Sequence, residues 1–86
     1  MAEEIQSAIT ILRLKQVLSR MGLSRSTLYL RIAHGLFTHP VSLGGRAVGW
    51  PANEVAAVNS GRIAGKPDAE IRELVTKLET ARKAAA

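Results

Sequence analysis

Residues 24–27, which read SRST, combine three hydroxyl groups with one guanidinium. A guanidinium can donate two parallel hydrogen bonds to a phosphate, or to O6 and N7 of guanine. Hydroxyl groups both donate and accept, so they suit phosphate oxygens and base edges alike. Tyr29 and Arg31 follow one turn later and add a phenol and a second cation. The candidate recognition residues are therefore Ser24, Arg25, Ser26, Thr27, Tyr29 and Arg31.

The sequence offers little for catalysis. A nucleophilic Ser24 would need a general base close by, and the spacing of the chain supplies none. There is no cysteine, which excludes disulfides and thiolate metal sites. His34 and His39 lie five residues apart without a neighbouring carboxylate, which disfavours a metal site. We predict a protein that is not an enzyme and that carries no metal and no cofactor.

The distribution of charge is more informative than its sum, although the net charge is +5. Residues 5–53, called here the acid-free segment, contain no Asp or Glu; every acid lies before or after them. Such a segment attracts a polyanion. Three of its cations, outside the recognition run and the hairpin described below, are expected to add non-specific attraction: Arg13, Lys15 and Arg20.

Two short helices are predicted to position the SRST run. After a short β-branched strand within residues 8–14, apolar residues recur at helical spacing and end at Gly22, as a left-handed C-cap requires. Ser24 suits the N-cap of a second helix that closes near Gly35. The inward residues are Leu14, Val17, Leu18 and Met21 in the first helix, then Leu28 and Ile32 in the second. Two such helices around a tight turn are typical of a helix-turn-helix.

A β-hairpin is predicted next, from the runs PVSL (40–43) and RAVGW (46–50). Gly44-Gly45 between them can supply the positive φ angles of a two-residue turn, so Gly44, Gly45 and Arg46 would form the tip of a wing. Trp50 is expected to fill the core. A third helix begins near Pro51, with Val55 and Val58 inward; it either ends at Gly61 or continues and brings Ile63 inward.

The C-terminal segment, residues 66–86, has the composition of a strong helix with acids at its start and cations at its end. Its apolar stripe comprises Ile71, Leu74, Val75, Leu78 and Ala81. That stripe can pack on its own domain, pair with a second copy, or contact a neighbour bound at the next site on DNA. We therefore divide the chain into a lead-in (1–8), a winged helix-turn-helix domain (9–65) and a helical tail (66–86) that is a candidate for oligomerisation.

No apolar run approaches the roughly 20 residues of a membrane span, and the N-terminus carries acids where a signal peptide carries basic residues. We expect a cytoplasmic, nucleoid-associated protein without a membrane partner.

The pieces GLSRSTLY (22–29) and LGGRAVGW (43–50), in this order and spacing, resemble the AlpA family of phage and genomic-island regulators. That family is similar to MerR-like winged helix-turn-helix proteins and to excisionases, and the resemblance covers roughly residues 11–65. It implies a mainly α, winged helix-turn-helix fold with a β-hairpin wing, whereas the C-terminal helix predicted above from composition lies outside the part of the chain that the resemblance covers. It also implies sequence-specific binding to double-stranded DNA in transcription regulation, in excisive recombination, or in both. An integrase or RNA polymerase would then be a further partner.

Two other classes stay open at the sequence level. A protein-interaction adaptor could present the basic face to an acidic partner and dock its tail helix in a groove. An RNA-binding module is disfavoured because aromatic side chains for base stacking are scarce.

Overall fold

The computed structural model describes residues 10–85, so the predicted lead-in lies outside the described residues. The fold is mostly helical with a small three-stranded antiparallel sheet, which confirms the predicted winged helix-turn-helix class. The elements in chain order are β1 (Ile11–Leu12), α1 (Leu14–Met21), α2 (Arg25–Ala33), β2 (Val41–Ser42), β3 (Val48–Pro51), α3 (Ala52–Ile63) and α4 (Asp68–Ala85).

The turn between α1 and α2 forms as its glycine predicts. Gly22 adopts φ 67° and ψ 34°, the left-handed conformation, and its N–H donates to the Leu18 carbonyl. Leu23 N–H donates to the same carbonyl at 3.1 Å, so the Leu18 carbonyl accepts two N–H groups and closes the end of α1. On the inner side of the pair, Val17, Leu28 and Ile32 are buried. The helix-turn-helix is therefore fixed by its cap and by its apolar face.

The sheet joins the start of the chain to the hairpin. The strand order is β1-β3-β2, with Leu12 opposite Trp50 and Val41 opposite Gly49. Gly49 allows this close approach, because a Cβ there would collide with Ile11 and lie 3.0 Å from the Leu12 carbonyl oxygen. Helix α1 packs against strand β3 of this sheet.

The hairpin turn corrects one detail of the sequence prediction. Leu43 N–H donates to the Ala47 carbonyl at 2.9 Å, and Ala47 N–H donates to the Gly44 carbonyl at 3.1 Å. The loop therefore comprises Gly44, Gly45 and Arg46, one residue more than the two-residue turn. Both glycines have positive φ, at 102° and 54°, as predicted. Arg46 lies within this loop, at the tip where the sequence predicts it.

The core centres on the single tryptophan. Trp50 and Phe37 are completely buried, with ring centroids 6.4 Å apart. The indole N–H of Trp50 donates to the Thr38 carbonyl at 2.9 Å, which satisfies its polar atom inside the core. This bond ties β3 to the segment that follows α2.

Helix α3 does not end at Gly61 but continues to Ile63. The continuation does not bring Ile63 inward, because this side chain is 86% exposed. Gly61 is buried where α4 crosses α3, and a Cβ there would lie 2.9 Å from Ile71 Cδ1. The roughly 1 kcal/mol that glycine costs in a helix is thus offset by close helix packing.

Helix α4 packs on its own domain. Ile71 and Val75 are buried in the common core, and Leu74 and Leu78 are half-buried against it; Ala81 is exposed. The domain itself thus covers Ile71 and Val75, so these two side chains are not free to contact a second copy. Self-association of the protein stays a prediction.

Polar contacts reinforce this packing. Arg82 donates from Nε and Nη2 to the two oxygens of Glu54, at 2.7 and 2.6 Å, and from Nη2 to the His39 carbonyl at 2.6 Å. The Glu54 side chain is only 3% exposed, so the fork supplies the partner that a buried carboxylate needs. The hydrogen bond to Glu54 also raises the pKa of Arg82.

Glu79 completes the attachment. Its Oε2 accepts from the His39 backbone N–H at 2.7 Å and lies 2.9 Å from His39 Nδ1. Lys83 lies four residues after Glu79 in α4, but the carboxylate contacts His39 instead. Arg72 Nε donates to the His34 carbonyl at 2.9 Å, just beyond the end of α2. We call Arg72, Glu79 and Arg82 the α4 anchor. No helix within residues 10–85 has the length and hydropathy of a membrane span.

Candidate nucleic-acid interface

The start of α2 is organised by Ser24. Its hydroxyl accepts the Thr27 N–H at 3.3 Å and donates to Thr27 Oγ1 at 2.9 Å. Ser24 is thus the N-cap that the sequence predicts, in extended conformation before the helix. Helix geometry leaves the N–H groups of Arg25 and Ser26 without a carbonyl one turn earlier. The first turn therefore presents backbone donors, hydroxyls and a guanidinium together.

Arg25 and Tyr29 form a pair on the helix surface. The Arg25 guanidinium carbon lies 5.9 Å from the centre of the Tyr29 ring, within the range of a cation–π contact. Tyr29 is 38% exposed, so its ring contacts the Arg25 cation and is also partly accessible to solvent. A cation–π contact uses none of the guanidinium N–H groups as hydrogen-bond donors to oxygen, so they can still donate to a ligand.

These side chains line a shallow open depression of about 780 Å³, bounded by Ser24, Arg25, Ser26 and Tyr29. Four of the six candidate recognition residues are therefore brought together at one end of α2. Thr27 and Arg31 are half-buried at the flank of the helix. The opposite side is held in the core by Leu28 and Ile32, which keeps the depression on the outside.

The wing tip forms the second candidate element. Gly44, Gly45 and Arg46 are all exposed. A Cβ built at either glycine meets nothing within 4 Å, so the loop projects into open space. Positive φ at both glycines lets the backbone make this tight turn. The tip thus presents one cation on a protruding loop without bulky neighbours.

The three auxiliary cations differ from one another. Lys15 and Arg20 are exposed on α1. Arg13 is exposed too, but its Nε donates to the Val48 carbonyl at 3.0 Å, which links the start of α1 to β3. Arg13 therefore has a structural contact that the sequence did not indicate.

Ion pairing separates the two halves of the protein. Over residues 10–85 the ion pairs join Arg62 to Asp68 and Arg82 to Glu54, and the contact of Glu79 with the His39 ring is a third only when the ring is protonated. None of them involves Arg25, Arg46, Lys15 or Arg20. The described part of the acid-free segment therefore carries cations whose charge no carboxylate neutralises within the fold, and it favours an anionic ligand.

One residue on this surface escaped the sequence reasoning. Leu30 is 56% exposed, although leucine is usually buried. At 3.6 residues per turn, Leu30 lies one turn beyond Ser26 and away from Leu28 and Ile32. The sequence could have indicated this exposure, because Leu30 does not share the helical spacing of the inward residues Leu28 and Ile32.

The two histidines have different neighbours. His39 contacts Glu79, whereas the carbonyl of His34 accepts from Arg72. No cluster of three or more His, Asp or Glu side chains with metal-binding geometry occurs in the described part of the chain.

Sequence comparisons with known proteins identify the family to which this interface belongs. A family model described as "Prophage CP4-57 regulatory protein (AlpA)" matches residues 10–57, from β1 into α3. The chain is also similar to "Uncharacterized protein ORF88" of Enterobacteria phage P4, with 51% identity over 55 residues. That alignment covers 64% of this chain and 62% of the relative, so the chain spans less than two thirds of the relative's length. No solved structure gives a significant match.

Proposed function

The chain belongs to the AlpA family of prophage regulatory proteins, whose model matches more than half of it, and from this premise we propose that it binds double-stranded DNA sequence-specifically. The observation that carries the proposal is the exposed group at the start of α2, set in a surface whose cations have no carboxylate partner. A DNA duplex supplies the missing negative charge.

In the proposed complex the first turn of α2 enters the major groove, as the second helix of a helix-turn-helix does. Arg25 donates two hydrogen bonds to guanine, and Ser26 and Thr27 contact base edges or phosphates. The backbone N–H groups and the positive end of the helix dipole favour a phosphate at the same place. Tyr29 and Arg31 contact the sugar-phosphate backbone further along.

The wing and the flanking cations have a different role. Arg46 contacts a phosphate or enters an adjacent minor groove, with Gly44 and Gly45 allowing close approach of the loop. Lys15 and Arg20 add attraction that does not depend on base sequence. Arg13 contributes less, since its guanidinium also supports β3.

We propose that the bound protein acts as a transcriptional regulator, as an excisionase that sets the direction of recombination, or in both roles. RNA polymerase is the proposed further partner in the first role and an integrase in the second. An in vitro transcription assay and an excision assay on the same DNA separate them. The adaptor alternative loses its main support, because the tail stripe that would dock in a partner packs on its own core.

The test begins with selection of duplexes from a randomised library by the 86-residue protein. Binding of an enriched duplex and of its scrambled form is then followed by fluorescence anisotropy at several salt concentrations. We expect Arg25→Ala to lose about 1–3 kcal/mol of discrimination and Arg46→Ala to reduce the salt slope by about 1. Lys77→Ala, the same loss of charge on α4, is the control.

If Arg25→Ala and Arg46→Ala hold the enriched duplex as tightly and as selectively as the parent, the proposed interface is wrong. If no duplex is enriched over the starting library, sequence-specific DNA binding itself is wrong.

A further inference from the structure

We infer that Leu30 contacts thymine methyl groups, so that the preferred site contains thymine where the middle of α2 meets the major groove. This inference rests on the proposed function and deepens it, because it names a base and the side chain that selects it. It starts from the exposure of Leu30, which is 56%, in the middle of the helix.

The position of Leu30 supports a role in the groove. Spacings of four and three place Ser26, Leu30 and Ala33 along one line of α2, and all three are exposed. Leu28 and Ile32 define the buried side, and Leu30 projects roughly opposite to them at 100° per residue. Any duplex that accepts the polar first turn therefore meets Leu30 one turn later.

The chemistry of the surroundings selects the ligand. An exposed leucine can equally mark a protein contact, but the preceding turn of the same helix carries Arg25, Ser26 and Tyr29, which line an open depression without carboxylates. This combination favours a polyanion that also offers an apolar group. In the major groove only thymine presents a methyl group, at its C5 position. Ala33, at the end of α2, extends the same apolar line.

The start and the middle of α2 then contact different groups of the DNA. Arg25 and the hydroxyls select guanine or hold phosphate at the start of the helix. Leu30 cannot donate or accept a hydrogen bond, so it favours thymine by burying the methyl group and disfavours bases that would leave a polar edge unsatisfied.

The experiment uses an enriched duplex from the library and the same duplex with uracil in place of each thymine in turn. Uracil lacks the methyl group but keeps the same pairing edge and charge. For the parent protein we expect at least one uracil to weaken binding about fourfold, the equivalent of about 0.8 kcal/mol for one buried methylene-sized group. For Leu30→Ala we expect weaker binding to the thymine duplex and little or no further loss with uracil.

Ile63→Ala is the matched control, since it truncates an exposed aliphatic side chain on α3 and should show the uracil effect of the parent. Circular dichroism checks that each variant is folded.

Three outcomes overturn the inference. Selective binding with no uracil effect in the parent removes the methyl contact but leaves the proposed function intact. An equal uracil effect in the parent and in Leu30→Ala assigns the methyl contact to another residue, and Leu30 would then be exposed for a protein partner. Failure to enrich any duplex overturns this inference together with the proposed function.

Discussion

The cations of the two halves of this protein differ in what they contact. In the C-terminal half, Arg62 and Arg82 pair with carboxylates and Arg72 donates to a backbone carbonyl. At the start of α2, Arg25 contacts an aromatic ring, and at the wing tip Arg46 lies on an open loop. Arginines of the first kind hold the fold together, whereas those of the second kind are available to an external ligand. Residue type alone does not distinguish them; the carboxylate and carbonyl acceptors around them do.

The largest test of this contrast is Arg82→Ala. The change leaves Glu54 buried without its ionic partner, and removing one member of a buried pair costs about 3–5 kcal/mol. Urea unfolding followed by circular dichroism measures the free energy of unfolding. The double variant Arg82→Met with Glu54→Leu should recover much of the loss, because no buried charge remains. A loss below about 1 kcal/mol, as for a surface pair, would remove the distinction between the two halves.

Ile71→Ala tests the apolar part of the α4 contact. Ile71 is completely buried and packs against Gly61, and truncation of a buried isoleucine costs about 2–5 kcal/mol. Thermal unfolding provides the measurement. Ile63→Ala, on the exposed side of α3, should change the stability by no more than about 0.5 kcal/mol. Similar effects of the two changes would mean that α4 does not belong to the core.

Ser24→Ala tests a residue that caps α2 and also lies in the proposed DNA interface. Loss of the N-cap should cost about 1 kcal/mol of stability, and DNA binding should weaken in addition. Ser24→Asp retains the cap but places a negative charge at the interface. We expect it to keep the stability of the parent and to bind DNA less well than Ser24→Ala. If the aspartate variant binds as the parent does, the start of α2 does not face phosphate.

Glu79 provides a smaller, pH-dependent test. Partial burial alone would raise its pKa, but hydrogen bonds from the His39 backbone and ring and the charges of His39 and Arg82 outweigh this, so the pKa is lowered. The stabilisation is therefore present above the ordinary value of 4.5 and lost as the pH falls through the lower folded value. Glu79→Gln should reduce the loss of stability between about pH 6 and pH 3, by less than about 1 kcal/mol. An unchanged pH profile would show that the contact contributes nothing.

Arg25→Ala should have the smallest effect on stability, within about 0.5 kcal/mol, because its side chain is exposed and has no ion pair in residues 10–85. The same unfolding experiment measures it beside Arg82→Ala. A loss of more than 1 kcal/mol would place Arg25 among the structural arginines and weaken its assignment to DNA.

The sequence predicted those parts of the fold that depend on local rules. The Gly22 and Ser24 caps, the inward face of α2, and the positive φ angles at Gly44 and Gly45 all follow from near neighbours in the chain. The loop length of the hairpin was wrong by one residue, since the register depends on how β3 packs between two strands. Periodicity predicted the α4 stripe but could not say what covers it.

The α4 anchor could not be predicted for a physical reason. Glu54 and Arg82 are 28 residues apart, and a long-range pair leaves no periodic pattern in the sequence. Glu54 lies in the first turn of α3, where the helix dipole favours an acid, so its position in the sequence does not indicate a distant partner. Among the candidate site residues, Arg13 illustrates the same point, because its contact with the Val48 carbonyl spans 35 residues.

The burial of the sole tryptophan has a practical consequence. Trp50 is fully enclosed, and its indole nitrogen already has an acceptor within the fold. Its fluorescence spectrum should therefore shift to longer wavelength only when the core opens. Tyr29, the only tyrosine, lies instead on the exposed side of α2. The protein thus contains a native optical reporter of unfolding, and no dye is needed to follow the opening of the core.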